Sequence, residues 1–299
     1  MRLDFDRDPL VITVAPTGAE VTRDDNPYVP HTPTEITAEV SRSYEAGATV
    51  CHLHIREPDG TPSAREDIWR ETVSRVRSAC PDIVVMVSTG GAITMNEEER
   101  LMGLLADPDM ASLTTGTTNF GDGVFYNPLP LVRRFAARIL DAGIQPELEV
   151  FDAGMIANAE RVLREGIIRP PLHFNIMLGV PGALPGTPEN LIHMIRSLPT
   201  DVSWSAAAVG RYQRQVVGLA VLLGGHVRVG FEDNVKLTQS QFASSNADFV
   251  SYAAGLARAA GRPLATTNQA RDLLGVSRRA NERTATASRP AATRDAAHS

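Results

Sequence analysis

The chain has 299 residues, 43% hydrophobic and 21% charged, with a formal net charge of −6, which excludes wholesale disorder and the basic face of a nucleic-acid protein. Its 23 Gly and 20 Pro are scattered without a period, which excludes collagen. The most apolar stretch, Val216 to Leu223, is too short to cross a membrane. The acidic N-terminus has no apolar signal core, and the two cysteines, Cys51 and Cys80, supply neither a disulfide framework nor a zinc cluster. A cytoplasmic protein is therefore expected.

Along the chain, short β-branched apolar runs alternate with longer amphipathic stretches. Strands are predicted at Leu10–Ala15, Ala48–Ile55, Ile83–Ser88, Met110–Thr115, Pro146–Phe151, Leu172–Leu178, Val202–Ala207 and His226–Phe231. Helices are predicted at Thr34–Ala46, Arg65–Ala79, Asn96–Leu105, Pro128–Ala142, Gly154–Glu165, Thr187–Arg196, Gln213–Leu223 and Gln239–Ala260. Thr32 followed by Pro33 marks a helix start, and Gly47, Gly143 and Gly166 stand where left-handed C-terminal caps belong. Strands separated by helices pair in parallel through right-handed crossovers. Eight such units predict a (β/α)8 TIM barrel as one catalytic domain over residues 1–277, the alternative being an open doubly wound sheet. Residues 278–299, rich in Arg, Ala, Thr and Ser without apolar periodicity, are expected to form a disordered tail.

The strongest local signal is His52-Leu53-His54 at the end of the second strand. Residues two apart on a strand share a face, so two imidazoles can bind one metal ion. The alternative is a pair of hydrogen-bonded core histidines. A second signal closes the eighth strand: Arg228, Gly230 and Glu232 share a face and Asp233 follows at the mouth. Acids and an arginine at such a point are costly unless paired or liganded. Glu232 would complete a set of two histidines and one carboxylate, one strand away around a closed barrel.

Weaker candidates end other strands: Glu20 the first, Ser88 to Gly91 the third, Ser112 and Thr114 the fourth, Glu147 and Glu149 the fifth. Gly179 to Gly182, after the sixth, could bring backbone close to a phosphate or pantetheine. Lys236 is the sole lysine, which disfavours Schiff-base chemistry, and no P-loop is present.

Thr17 to Glu20, Cys51 to Glu57, Ser88 to Gly91, Asn119 to Gly121, Gly179 to Gly182 and Gly230 to Asn234 together resemble the β-keto acid cleavage enzymes, in order, from about Leu10 to Gly275. The nearest likeness is to members acting on 3-keto-5-aminohexanoate in lysine fermentation. The resemblance implies a zinc-dependent barrel that exchanges acyl groups between a β-keto acid and acetyl-CoA, releasing acetoacetate and a new acyl-CoA. It assigns His52, His54 and Glu232 to Zn2+, Asp233 to proton removal with Arg228 beside it, and Glu20, Ser88, Ser112 and Glu149 to the substrate. Gly91 and Thr114 are grouped with the substrate residues, and a homo-oligomer, a tetramer in the family, is expected. Cys51 and Ser112 depart mildly from the family pattern.

Glu20 carries a further expectation: a buried carboxylate lacking a partner would favour a substrate ammonium, the alternative being a pair with Arg23 or Arg56. Three rival classes stand beside the family reading. A zinc hydrolase of the amidohydrolase type would want more histidines at later strand ends, whereas His173 and His226 open their strands. A lysine aldolase and a non-catalytic binding barrel are the others.

Overall fold

The computed structural model describes residues 8–277, so the expected tail at 278–299 lies outside the described residues. Eight parallel strands close into a barrel: β1 (Ile12–Val14), β2 (Val50–Leu53), β3 (Val84–Val87), β4 (Met110–Thr114), β7 (Gln145–Val150), β8 (His173–Leu178), β9 (Ser203–Ala208) and β10 (His226–Val229). Each pairs with the next in this order, and β10 returns to β1 through Thr13 opposite Arg228. Between β4 and β7 sits an antiparallel hairpin, β5 (Thr118–Phe120) and β6 (Gly123–Phe125).

The helices are α1 (Pro33–Ala46), α2 (Glu66–Ala79), α3 (Glu97–Leu101), α4 (Leu129–Asp141), α5 (Ala153–Arg164), α6 (Pro188–Ser197), α7 (Gln213–Leu222), α8 (Asn246–Ala259) and α9 (Thr267–Leu274). α1 begins as its sequence predicts: Thr32 and Glu35 form a reciprocal capping box, Pro33 opens the helix, and Gly47 closes it at φ 116°.

One helix start differs from expectation. α8 begins at Asn246 rather than Gln239 because Ser245 caps it and Glu39, across on α1, accepts from the Asn246 backbone N–H at 2.7 Å. The hairpin and α9 were not anticipated, although Gly121-Asp122 between two short runs is a hairpin signal and Thr266 with Gln269 is a capping box.

The main apolar core lies between strands and helices. A second cluster, Val11, Val50, Val84 and Met110 with Ala270 and Leu274, closes the amino end of the barrel beneath α9. Arg271 fastens α9 there through Asp109, 3.3 Å away. Chemistry is thus confined to the opposite, carboxyl end, where strands give way to loops. Among the described residues, no helix is long and apolar enough to cross a membrane.

Candidate active site

Strand alternation turns His52 and His54 inward at the end of β2, and closure of the barrel brings the loop after β10 to them across β1. His52 Nε2 lies 3.6 Å from Glu232 Oε2, and His54 Nε2 lies 3.4 Å from Glu232 Oε1. One ligand atom from each residue falls within 4.8 Å of the others. Both His52 ring nitrogens and Glu232 Oε2 are buried without a hydrogen-bond partner.

Unpartnered buried polar atoms are expensive, and a shared cation would satisfy them. Burial holds the His52 imidazole well below its ordinary range, leaving a neutral ring able to ligate. Burial alone would raise Glu232, but Arg228 and the two histidines outweigh it and hold the carboxyl well below the usual carboxylate range. The donor set therefore fits a divalent ion.

Two glycines make this convergence possible. A Cβ on Gly18 would come 2.5 Å from Glu232 Cγ, so only glycine leaves room for the carboxylate. Gly230 sits at φ 143°, and a Cβ there would come 2.2 Å from the Ala15 carbonyl oxygen. This close approach lets the Glu232 N–H donate to Ala15 O at 3.2 Å. Asn246 secures the same junction by accepting from Phe231 N–H at 2.8 Å and donating to Pro16 O at 3.2 Å.

Arg228, only 2% exposed, is the hub of the charged cluster. It grips Asp233 with two bonds of 3.0 and 2.9 Å, reaches Glu149 at 3.4 Å and also donates to Glu232. Burial works against its charge, yet Asp233, Glu232 and Glu149 prevail and raise its pKa. Burial pushes the Asp233 carboxyl up, with Arg228 pulling the other way. Held by two bonds from Arg228, the Asp233 carboxyl stands beside the His52–His54–Glu232 set.

These groups open into a cleft at the barrel mouth. Of the residues singled out from sequence, Glu20, His54, Ser88, Gly91, Glu149, Arg228, Glu232 and Asp233 line it. Ser112 and Thr114 lie behind its wall. Ser112 Oγ accepts from Thr89 N–H at 3.1 Å, and Thr114 Oγ1 donates to Glu149 Oε2 at 2.7 Å, so both hold neighbours in place.

Glu20 departs from the expectation of burial: it is exposed, because the chain turns outward after Gly18. Neither arginine bonds it, although Arg56 is close enough to feel its charge. Arg23 bonds Glu35 at 2.7 Å, and Arg56 donates to Thr17 and to the carbonyls of Gly18, Val21 and Gly60. His173 and His226 lie with tilted rings 6.0 Å apart at the amino ends of their strands, away from the His52–His54–Glu232 triad beside which an amidohydrolase-type site would need them.

The apolar lining escaped the sequence reading. Ile93, Phe120, Phe125, Phe151, Met177 and Val209 border the same cleft. Phe120 and Phe125 come from the hairpin, where the residue alternation of two three-residue strands is too short to stand out. Arg100, buried, also went unnoticed. It donates to Thr89 O at 2.8 Å and Asn127 Oδ1 at 2.6 Å while lying 4.8 Å over the Phe125 ring.

Comparison with known proteins agrees with this geometry. Residues 9–276 match the model of the beta-keto acid cleavage enzyme family. The 3-keto-5-aminohexanoate cleavage enzyme of Acetoanaerobium sticklandii is 44% identical over 270 residues, 90% of this chain and 99% of that one. The 3-oxoadipate:acetyl-CoA acetyltransferase of Cupriavidus necator is 41% identical, covering 90% of this chain and 95% of its own. The solved ternary complex of ObcA with a C4-CoA adduct and oxalate shares the fold, with a TM-score of 0.70 at 22% identity over 84% of this chain and 68% of that one. With the family's motifs gathered at one barrel mouth and its model matched almost end to end, the chain belongs to the β-keto acid cleavage enzymes.

Proposed function

We propose that the chain transfers an acyl group from a β-keto acid to coenzyme A at the expense of acetyl-CoA, releasing acetoacetate. The observation that carries this reading is the His52–His54–Glu232 set with orphaned ligand atoms, directly beside the Arg228–Asp233 pair. The three residues would hold a divalent ion. Zinc is favoured by two imidazoles and a carboxylate, although the set also suits cobalt or manganese. When bound, such an ion polarises the keto group and acidifies the methylene between it and the carboxylate.

Asp233 would take the methylene proton, and Arg228 would hold its carboxylate ionised and aimed. Thr114 orients Glu149, which with Ser88 and the Gly91 backbone borders the substrate. Ser112 acts through Thr89 rather than on substrate. The carbanion so formed attacks the acetyl-CoA carbonyl; thiol transfer and retro-Claisen cleavage then yield acetoacetate and the new acyl-CoA, which balances the atoms. Glu20, at the cleft edge and bonded to neither neighbouring arginine, is a carboxylate available to a substrate ammonium, as in 3-keto-5-aminohexanoate. A homotetramer is the assembly that the family resemblance implies, and the cytoplasmic setting rests on the sparse cysteines.

The test is incubation with acetyl-CoA and a panel of β-keto acids, with elemental analysis of the same preparation. Acetoacetate and a matching acyl-CoA in equal amounts, with one divalent ion per chain, are expected. Substrate consumption independent of acetyl-CoA would refute the transfer and point to hydrolysis.

A further inference from the structure

The cleft lining divides into two contiguous patches. The charged patch is joined through Arg228 and accounts for a keto acid's carboxylate, ketone and methylene. The apolar patch has no part in that chemistry. It is continuous: Phe120 meets Phe125 with ring centres 6.1 Å apart and Phe151 at 6.5 Å, both edge to face. Ile93, Met177, Val180 and Val209 extend it.

The patch is also held in place from three sides. At the tip of the β5–β6 hairpin, Gly121 N–H donates to Pro181 O at 2.9 Å and Asn119 Nδ2 to Gly182 O at 3.2 Å. At its base, buried Arg100 binds Asn127 and covers Phe125. On its flank Ile93 lies over Gly123, where a Cβ would come 2.5 Å from Ile93 Cδ1. A wall fixed by two loops and α3 is preorganised for a ligand rather than assembled by it.

We infer that this wall seats the acyl arm of the keto acid, and that Ile93 limits the arm's length. The inference rests on the proposed reaction and names its substrate class: β-keto acids with a short, unbranched carbon arm, apolar along the side against the hairpin. Ile93 is the limiting residue because of its position. Phe125, Phe151, Met177 and Val180 are buried, whereas Ile93 is 40% exposed at the cleft's outer edge. A longer arm meets Ile93 last, and one methylene gained or lost in an apolar pocket changes selectivity about tenfold or more.

The experiment compares kcat/KM across straight-chain 3-oxo acids, from 3-oxopentanoate to 3-oxodecanoate, at saturating acetyl-CoA. Acyl-CoA products are followed by mass spectrometry in the wild type, Ile93→Ala and Ile93→Phe. The side chain is partly exposed, so both variants should fold, which thermal melting checks. Expected are a roughly tenfold rise in the ratio of 3-oxooctanoate to 3-oxohexanoate in Ile93→Ala and a comparable fall in Ile93→Phe. Turnover with both ratios within about twofold of wild type overturns the inference alone. Absence of acyl transfer by the wild type with every acid overturns the proposed reaction, and this inference with it.

Discussion

Glu147 gives the most quantitative test of the barrel interior. It lies on β7, two residues before Glu149, and is 2% exposed. Its Oε1 has no partner, and Oε2 stands 3.7 Å from His173 Nε2. Burial pushes its carboxyl from 4.5 up to about 8, with Arg228 pulling against this and Glu149, Glu232 and Asp233 adding to it. The folded chain thus keeps a proton where the unfolded chain has released one. Stability from this group is full below about pH 4.5 and is lost as pH rises to about 8, the reverse of a salt-bridged carboxylate.

The gap of roughly three and a half pH units corresponds to about 5 kcal/mol at about 1.36 kcal/mol per unit. That is a large share of the about 5–15 kcal/mol that holds a typical domain folded. Glutamine mimics the protonated acid in shape but does not titrate. Urea unfolding, followed by circular dichroism, should therefore give Glu147→Gln and wild type the same stability within about 1 kcal/mol near pH 5. By about pH 8.5 the variant should be ahead by about 3–5 kcal/mol. Profiles that stay parallel across this range would show that Glu147 titrates alike in the folded and unfolded chains, and the argument from burial would fail.

Asp233→Asn should keep its metal by elemental analysis yet lose about 10²–10⁴ in turnover, and wild-type rates in that variant would remove Asp233 as the base. Glu20→Gln should weaken amino-bearing keto acids by about 1 kcal/mol, roughly fivefold in kcat/KM, the small value reflecting an exposed carboxylate. Neutral keto acids should be unaffected, and equal losses on both would make Glu20 structural. A chain ending at Ser277 should retain activity and melting temperature, since the family match ends at residue 276. A clear drop in either would give residues 278–299 a part in the enzyme.

Much of this enzyme could be read locally. Strand and helix periods depend on neighbours in sequence, as do the Thr32 cap and the Gly47 stop, so all eight barrel strands and most helices were legible. The shared face of His52 and His54 follows from strand alternation alone. What sequence could not settle depends on groups far apart in the chain. Closure of β10 onto β1 carried Glu232 to the histidines, because backbone hydrogen bonds at the barrel seam link residues more than 200 positions apart. The start of α8 rested on Glu39 reaching across from α1. Exposure likewise belongs to the whole fold. Glu20 follows β1 and Glu149 ends β7, yet the first turns to solvent while the second is buried against Arg228 and Thr114. The aromatic wall is the clearest case. Phe120, Phe125 and Phe151 show no pattern in sequence and become one surface only when a hairpin, a strand end and two loops pack together, since burying apolar area rewards proximity in space, whatever the order along the chain.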